Sequence, residues 1–149
     1  MKRCLGFILV VVVLVAADKK KTTETKEWKV PARAAQRENP VQADENSIAV
    51  GKTLYVKECL DCHGPKGHGD GAGARDLDAP VPDLSDAKMW KQSDGSMFYK
   101  ITEGRDPMPA AENLSDEQRW HIVNYVRTLA PRPRDSEEKQ QDAQTAKGK

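Results

Sequence analysis

Apolar residues in this chain form one unbroken run near the start and three periodic stretches further in, separated by polar segments rich in proline and glycine. The run covers Leu5 to Ala17. Behind it, the chain from Asp18 mixes charges and prolines without a sustained period, which predicts a linker or extended arm over 18–45. Within that arm, Trp28 with Val30 and Pro31 either docks onto the domain or stands isolated. The first periodic stretch sets Gly51, Tyr55 and Cys59 four apart, the spacing of one helix face, and predicts a helix over 46–59 capped by Asp44 or Asn46. A second helix is predicted over 95–103, opened by Ser93 or Asp94 and ended by Gly104. The third carries the strongest signal: Ser115 with Gln118 three residues on makes a capping box, and Ile122, Tyr125, Val126 and Leu129 form an apolar stripe that Pro131 ends. No stretch alternates as a strand would, so an all-α domain is expected over 46–131. Beyond Pro131 no apolar residue is larger than alanine, which predicts a disordered charged tail over 132–149.

The apolar run changes how composition is read. Lys2 and Arg3 precede it and Val15-Ala16-Ala17 ends it before Asp18, the pattern of a signal peptide over 1–17 and of a periplasmic or otherwise exported protein. Its length falls short of the roughly 20 apolar residues of a membrane helix. An uncleaved anchor is the alternative, because Lys19, Lys20 and Lys21 follow directly. Removing Lys2 and Arg3 lowers Lys plus Arg from 24 to 22 against 23 Asp plus Glu, a net charge of −1 that gives no support for nucleic-acid binding. Removing Cys4 leaves two of the three cysteines. Hydrophobic residues make up 38% of the chain with the run included, so a small polar domain of this kind needs a disulfide, a metal or a cofactor in its core.

The two remaining cysteines stand in Cys59-Leu60-Asp61-Cys62-His63, at the end of the first predicted helix. C-x-x-C-H places two thiols one turn apart, each able to add across a vinyl group of a haem, and brings the adjacent histidine under the iron. A zinc site would need a second ligand pair, and only His68 and His121 remain as histidines. A redox dithiol would need a strand before the motif and a parallel sheet. Together with an export signal, the spacing points to one haem c attached through Cys59 and Cys62 by two thioether bonds. A porphyrin would also supply the missing apolar core.

Candidates for the sixth iron ligand lie well after the motif. Met108 sits in Gly104-Arg105-Asp106-Pro107-Met108-Pro109, where flanking prolines stop a helix and fix the backbone around the thioether. Met97 beside Phe98 and Met89 beside Trp90 read as core packing. His68 lies in a glycine-rich loop too near His63 to reach the opposite haem face easily, and His121 belongs to a surface or boundary position on the last helix.

Residues from about Ser47 to Ala130 resemble a class I cytochrome c domain, of the kind found in small bacterial carriers and oxidase-associated domains. The resemblance rests on Gly51 and Tyr55 ahead of C-L-D-C-H, on G-P-K-G-H-G-D-G after it, and on P-V-P-D-L, G-R-D-P-M-P and the W-H-I-V-N-Y-V-R-T-L helix. It implies an all-α fold of about three main helices around one haem, with Gly51 letting the first and last helices cross near Ile122 and Tyr125. It implies His63 and Met108 as axial ligands, and a backbone carbonyl, expected at Pro80, orienting the His63 ring. The function implied is single-electron transfer rather than enzymatic turnover, by a mobile carrier between respiratory redox partner proteins. Lys57, Lys66, Arg75, Lys88 and Lys91 are candidate steering charges, with a solvated face as the plain alternative. A fixed haem subunit of a membrane respiratory or dehydrogenase complex is the alternative, with a ligand-binding haem enzyme or sensor third.

Overall fold

The computed structural model describes residues 27–132, so the apolar run with Cys4, and the tail from 133 onward, lie outside the described residues. The described chain runs through α1 (Ala32–Ala35), α2 (Glu45–Glu58), α3 (Leu60–His63), α4 (Asp94–Glu103) and α5 (Asp116–Leu129). Two 3₁₀ turns, Ala72–Asp76 and Ala87–Lys91, stand between α3 and α4. Among the described residues there is no strand, only an isolated bridge between Arg105 and Met108. No helix among them is long and apolar enough to cross a membrane. The three longer helices lie where periodicity predicts them. The single turns α1 and α3 do not register in the pattern, because one turn is too short to show a period.

Capping explains the boundaries. The Asp44 carboxylate accepts from the Ser47 amide at 2.8 Å to start α2, and Ser93 does the same for Ser96 at α4. At α5 the capping box closes in both directions: the Gln118 amide donates to Ser115 Oγ at 3.2 Å, and the Ser115 amide donates to Gln118 Oε1 at 2.8 Å.

The core forms where α2 crosses α5, with α4 packed beside them. Gly51 is buried at the crossing, and a Cβ there would run into the His121 carbonyl and lie 2.9 Å from Tyr125 Cβ. One turn on, Tyr55 is fully buried with its ring centre 5.1 Å from that of Tyr125. Phe98 of α4 stacks on Trp120 of α5 at 4.1 Å. Arg127 closes the α4 side, donating to Asp94 and to the carbonyls of Met89 and Gln92.

The arm ahead of α2 lies against the domain. Arg37 sits 4.3 Å above the Phe98 ring and pairs with Asp116 at 2.8 Å. Asn39 donates to Asn124 Oδ1 at 2.7 Å, and the buried Asn124 donates in turn to Ser47 Oγ at 2.8 Å and to the Val41 carbonyl. Ser93 donates to the Ala35 carbonyl at 2.6 Å. Trp28 is half-buried beside Lys100 and Arg105. Of the two readings of Trp28, docking is the one observed.

The Gly51 crossing yields a direct stability test. Gly51→Ala inserts a methyl group against backbone rather than against a movable side chain, and is expected to cost about 1–3 kcal/mol, as overpacking does. Denaturant unfolding of the protein measures it, and an unchanged midpoint would show that α2 and α5 separate freely.

Candidate functional site

Cys59 lies between α2 and α3, and the motif is wound as one helical turn: the amides of Cys62 and His63 both donate to the Cys59 carbonyl, at 3.3 and 2.9 Å. Residues three and four apart on such a turn are neighbours, so both thiols and the imidazole are presented together. Gly64 then reverses the chain at a φ of 74°, a left-handed conformation that suits glycine. Its carbonyl accepts from the Tyr55 hydroxyl at 2.7 Å. The buried face of α2 is thereby tied to the end of the motif.

The glycine-rich loop folds back over the same turn. Gly69 donates to the His63 carbonyl at 2.9 Å and Gly71 to that of Cys62 at 3.2 Å, satisfying acceptors that the end of a helix leaves open. Gly67 receives the Leu84 amide at 2.6 Å, and a Cβ on Gly67 would be 3.0 Å from Leu129 of α5. The loop thus connects the motif to the Val81–Ser85 stretch and to the last helix.

His63 is half-buried, and its Nδ1 is sealed from solvent without a hydrogen bond. Burial pushes the imidazole below its ordinary range, and the backbone of Pro82 acts in the opposite direction. That contact is too loose to count as a hydrogen bond at Nδ1. No carbonyl, at Pro80 or elsewhere, hydrogen-bonds His63 Nδ1, and the backbone that acts on the ring is that of Pro82. A neutral imidazole is the form that binds a metal.

Cys59 and Cys62 form no disulfide with each other. Burial, then the charges of Glu58 and Cys62, push the Cys59 thiol up to about 12. A catalytic redox dithiol needs the reverse shift. Among the described residues no group of three or more His, Cys, Asp or Glu side chains is gathered, so the two thiols have no second pair for a tetrahedral zinc site. Two neighbouring thiols and a neutral imidazole with a sealed nitrogen fit a haem c.

Met108 lies across the sequence in a tight turn after α4, where Arg105 and Met108 exchange backbone hydrogen bonds at 2.8 and 2.7 Å around a cis Asp106-Pro107 bond. Met108 is half-buried. The other candidates have other partners. Met97 is buried in the core and Met89 packs against it; His121 Nδ1 hydrogen-bonds Ser47 Oγ at 2.8 Å. His68 is about half exposed and bonds Ser85 Oγ at 2.8 Å. Lys57, Lys66, Arg75, Lys88 and Lys91 are all exposed. Sequence reasoning missed the Tyr55–Gly64 tie and the amides of Gly69 and Gly71, since a hydrogen bond from a core tyrosine or a loop amide leaves no periodic trace.

A C-x-x-C-H turn closing the first long helix of an all-α domain defines a c-type cytochrome. Residues 46–126, just over half of the chain, match the family described as cytochrome c oxidase, cbb3-type, subunit III, and the chain belongs to that family. Among curated proteins it is similar to thiosulfate dehydrogenase of Allochromatium vinosum, 34% identical over 92 residues, which are 56% of this chain and 31% of that protein. It is likewise similar to thiosulfate dehydrogenase of Stutzerimonas stutzeri, 31% identical over 94 residues, or 59% of this chain and 29% of the relative. The chain thus spans about a third of the length of these curated relatives. Among solved structures it is similar to a chain of the reducing HAO-like protein complex of Kuenenia stuttgartiensis, with a TM-score of 0.56 and 28% identity, covering 72% of this chain and 53% of that one. Haem and electron transport are the properties these comparisons support.

Tyr55 links helix packing to the motif, and its loss should be measurable. Tyr55→Phe leaves the Gly64 carbonyl without its donor, an expected cost of about 1–3 kcal/mol. Burial first, then the charges of Cys59, Tyr125 and Asp70, push the Tyr55 hydroxyl above its ordinary value. The native state therefore keeps this proton at pH values where an unfolded tyrosine, titrating near about 10, has lost it. That contribution is intact below about pH 10 and declines as pH rises further. Denaturant midpoints across about pH 8 to 11 should fall more steeply for the wild type than for Tyr55→Phe; equal slopes would count against a buried, hydrogen-bonded Tyr55.

Proposed function

We propose that this protein carries one electron at a time on a single haem c, bound through thioether links to Cys59 and Cys62 and held by His63 and Met108. The observation that carries this reading is the wound C-x-x-C-H turn, in which a neutral, half-buried His63 stands beside two cysteines that are not bridged to each other. When bound, the haem supplies the one-electron iron couple, and imidazole-with-thioether ligation raises its potential. The chain's own residues do the rest. Cys59 and Cys62 hold the group against loss, and the glycine loop and the Tyr55–Gly64 bond keep the motif in one conformation. The Pro82 backbone acts on the His63 ring and would help to orient it in its ligand role. Met108 would supply the second ligand from a turn closed by its own backbone hydrogen bonds, and a metal so held would offer no place for a substrate.

Such a closed site suits a mobile carrier between respiratory redox partners, exported by the segment over 1–17 and working in the periplasm. The exposed Lys57, Lys66, Arg75, Lys88 and Lys91 would steer transient docking. A second reading, a haem unit fixed within a larger redox assembly, is favoured by the likeness to a chain of a multiprotein complex and by relatives about three times as long.

Absorption spectra of protein matured in a host that attaches haem c test the ligation. The oxidised wild type should show the weak long-wavelength band of a methionine bound to ferric iron, and Met108→Ala should lose it while keeping covalent haem. Replacing both Cys59 and Cys62 by serine should abolish haem retention after acid–acetone extraction. Covalent haem without the band in the wild type would defeat the Met108 assignment. Rapid reduction of the isolated ferric protein by thiosulfate would favour an enzymatic role over a carrier.

A further inference from the structure

The arm ahead of α2 carries a large aromatic at a place that core packing does not explain. Trp28 is only half-buried and lies before the first helical turn. Its ring lies 4.6 Å from the Arg105 guanidinium carbon and 5.7 Å from Lys100 Nζ. Lys100 sits in the last turn of α4, and its ammonium donates to the Gln92 side chain. Arg105 opens the turn that Met108 closes, and both backbone hydrogen bonds between the two residues are formed. The base of the same loop is tied by the Ala111 amide donating to the Ile101 carbonyl at 3.0 Å. One end of the loop is therefore held by backbone, and the Met108 end has an aromatic ring from the arm set against its first residue.

We propose that Trp28 is a positioning residue for Met108, restraining the ligand-bearing turn through its cation–π contact with Arg105. The proposal rests on the Met108 ligation proposed above. A thioether is a weak neutral ligand, so the fraction of time it stays in place depends on the loop that presents it. The Arg105 side chain and the Met108 backbone belong to one four-residue turn, and motion of Arg105 is passed on to Met108 through two hydrogen bonds. Trp28 holds Arg105 from a segment far away in sequence, itself anchored by Arg37 and Asn39. Loss of the ring would free the turn without removing any ligand.

Competition by external imidazole reads this directly, because its apparent affinity rises with the fraction of molecules whose sixth position is open. The experiment uses full-chain holoprotein and compares wild type, Trp28→Ala, Trp28→Phe and Arg105→Gln. The readouts are the methionine band, the imidazole dissociation constant of the ferric form and the thermal midpoint. Trp28→Ala is expected to bind imidazole roughly three- to tenfold more tightly, in keeping with the loss of a partly exposed cation–π contact. Trp28→Phe, which keeps an aromatic face, should stay closer to the wild type. Arg105→Gln removes the cation instead of the ring and should shift affinity in the same direction, which keeps the test in force if Trp28→Ala gives no folded holoprotein. A Trp28→Ala protein with a lowered thermal midpoint but wild-type imidazole affinity would reduce Trp28 to a packing residue and overturn the proposal. A wild type lacking the methionine band would defeat the Met108 ligation itself, whereas a wild type with the band and unshifted variants would defeat the Trp28 role alone.

Discussion

The crossing of α2 over α5 at Gly51 is the constraint on which the remainder of the molecule depends. With no side chain on Gly51, the α2 backbone rests against the His121 carbonyl, and the helices meet closely enough for Tyr55 and Tyr125 to pack ring against ring one turn later. Because the C-x-x-C-H turn follows α2 directly and Tyr55 bonds to Gly64 beyond it, the crossing also places the two thiols and His63. Stability and chemistry share one set of residues here, and a change at Gly51 would act on both.

Two polar systems extend this packing outward. On one side the glycine loop turns its amides toward the Cys62 and His63 carbonyls and locks to Leu84, so a segment without regular structure acquires defined hydrogen bonds. On the other, the arm reaches the domain through Asn39, Asn124 and Ser47, and its Arg37 covers the stacked Phe98 and Trp120 rings. Asn124 and Ser47 are buried, but each bonds to a partner, which avoids the cost of an unsatisfied polar group. The arm is a covering layer of the domain, joined to it by specific contacts.

Burial tunes the motif in a consistent direction. It lowers the affinity of His63 for a proton and raises that of the Cys59 thiol, so that both groups are neutral near neutral pH. Neutral imidazole suits a metal ligand, and a neutral thiol is a poor redox nucleophile. Membership in the cbb3-type subunit III family agrees with that chemistry. The relatives named for thiosulfate oxidation share only a domain-sized part of their length with this chain.

The sequence by itself determined the helical class, the three longer helices, the capping box of the last and the motif. Each of these depends on residues a few positions apart: Ser115 with Gln118, Gly51 with Tyr55, Cys59 with Cys62 and His63. Local spacing is written directly in the chain because a helical turn has a fixed period. The docking of Trp28 and Arg37, the Tyr55–Gly64 bond, and the influence of the Pro82 backbone on His63 were decided only by the tertiary structure. These contacts join residues whose separation is set by the path of irregular loops, and an irregular loop has no period from which its end point can be counted.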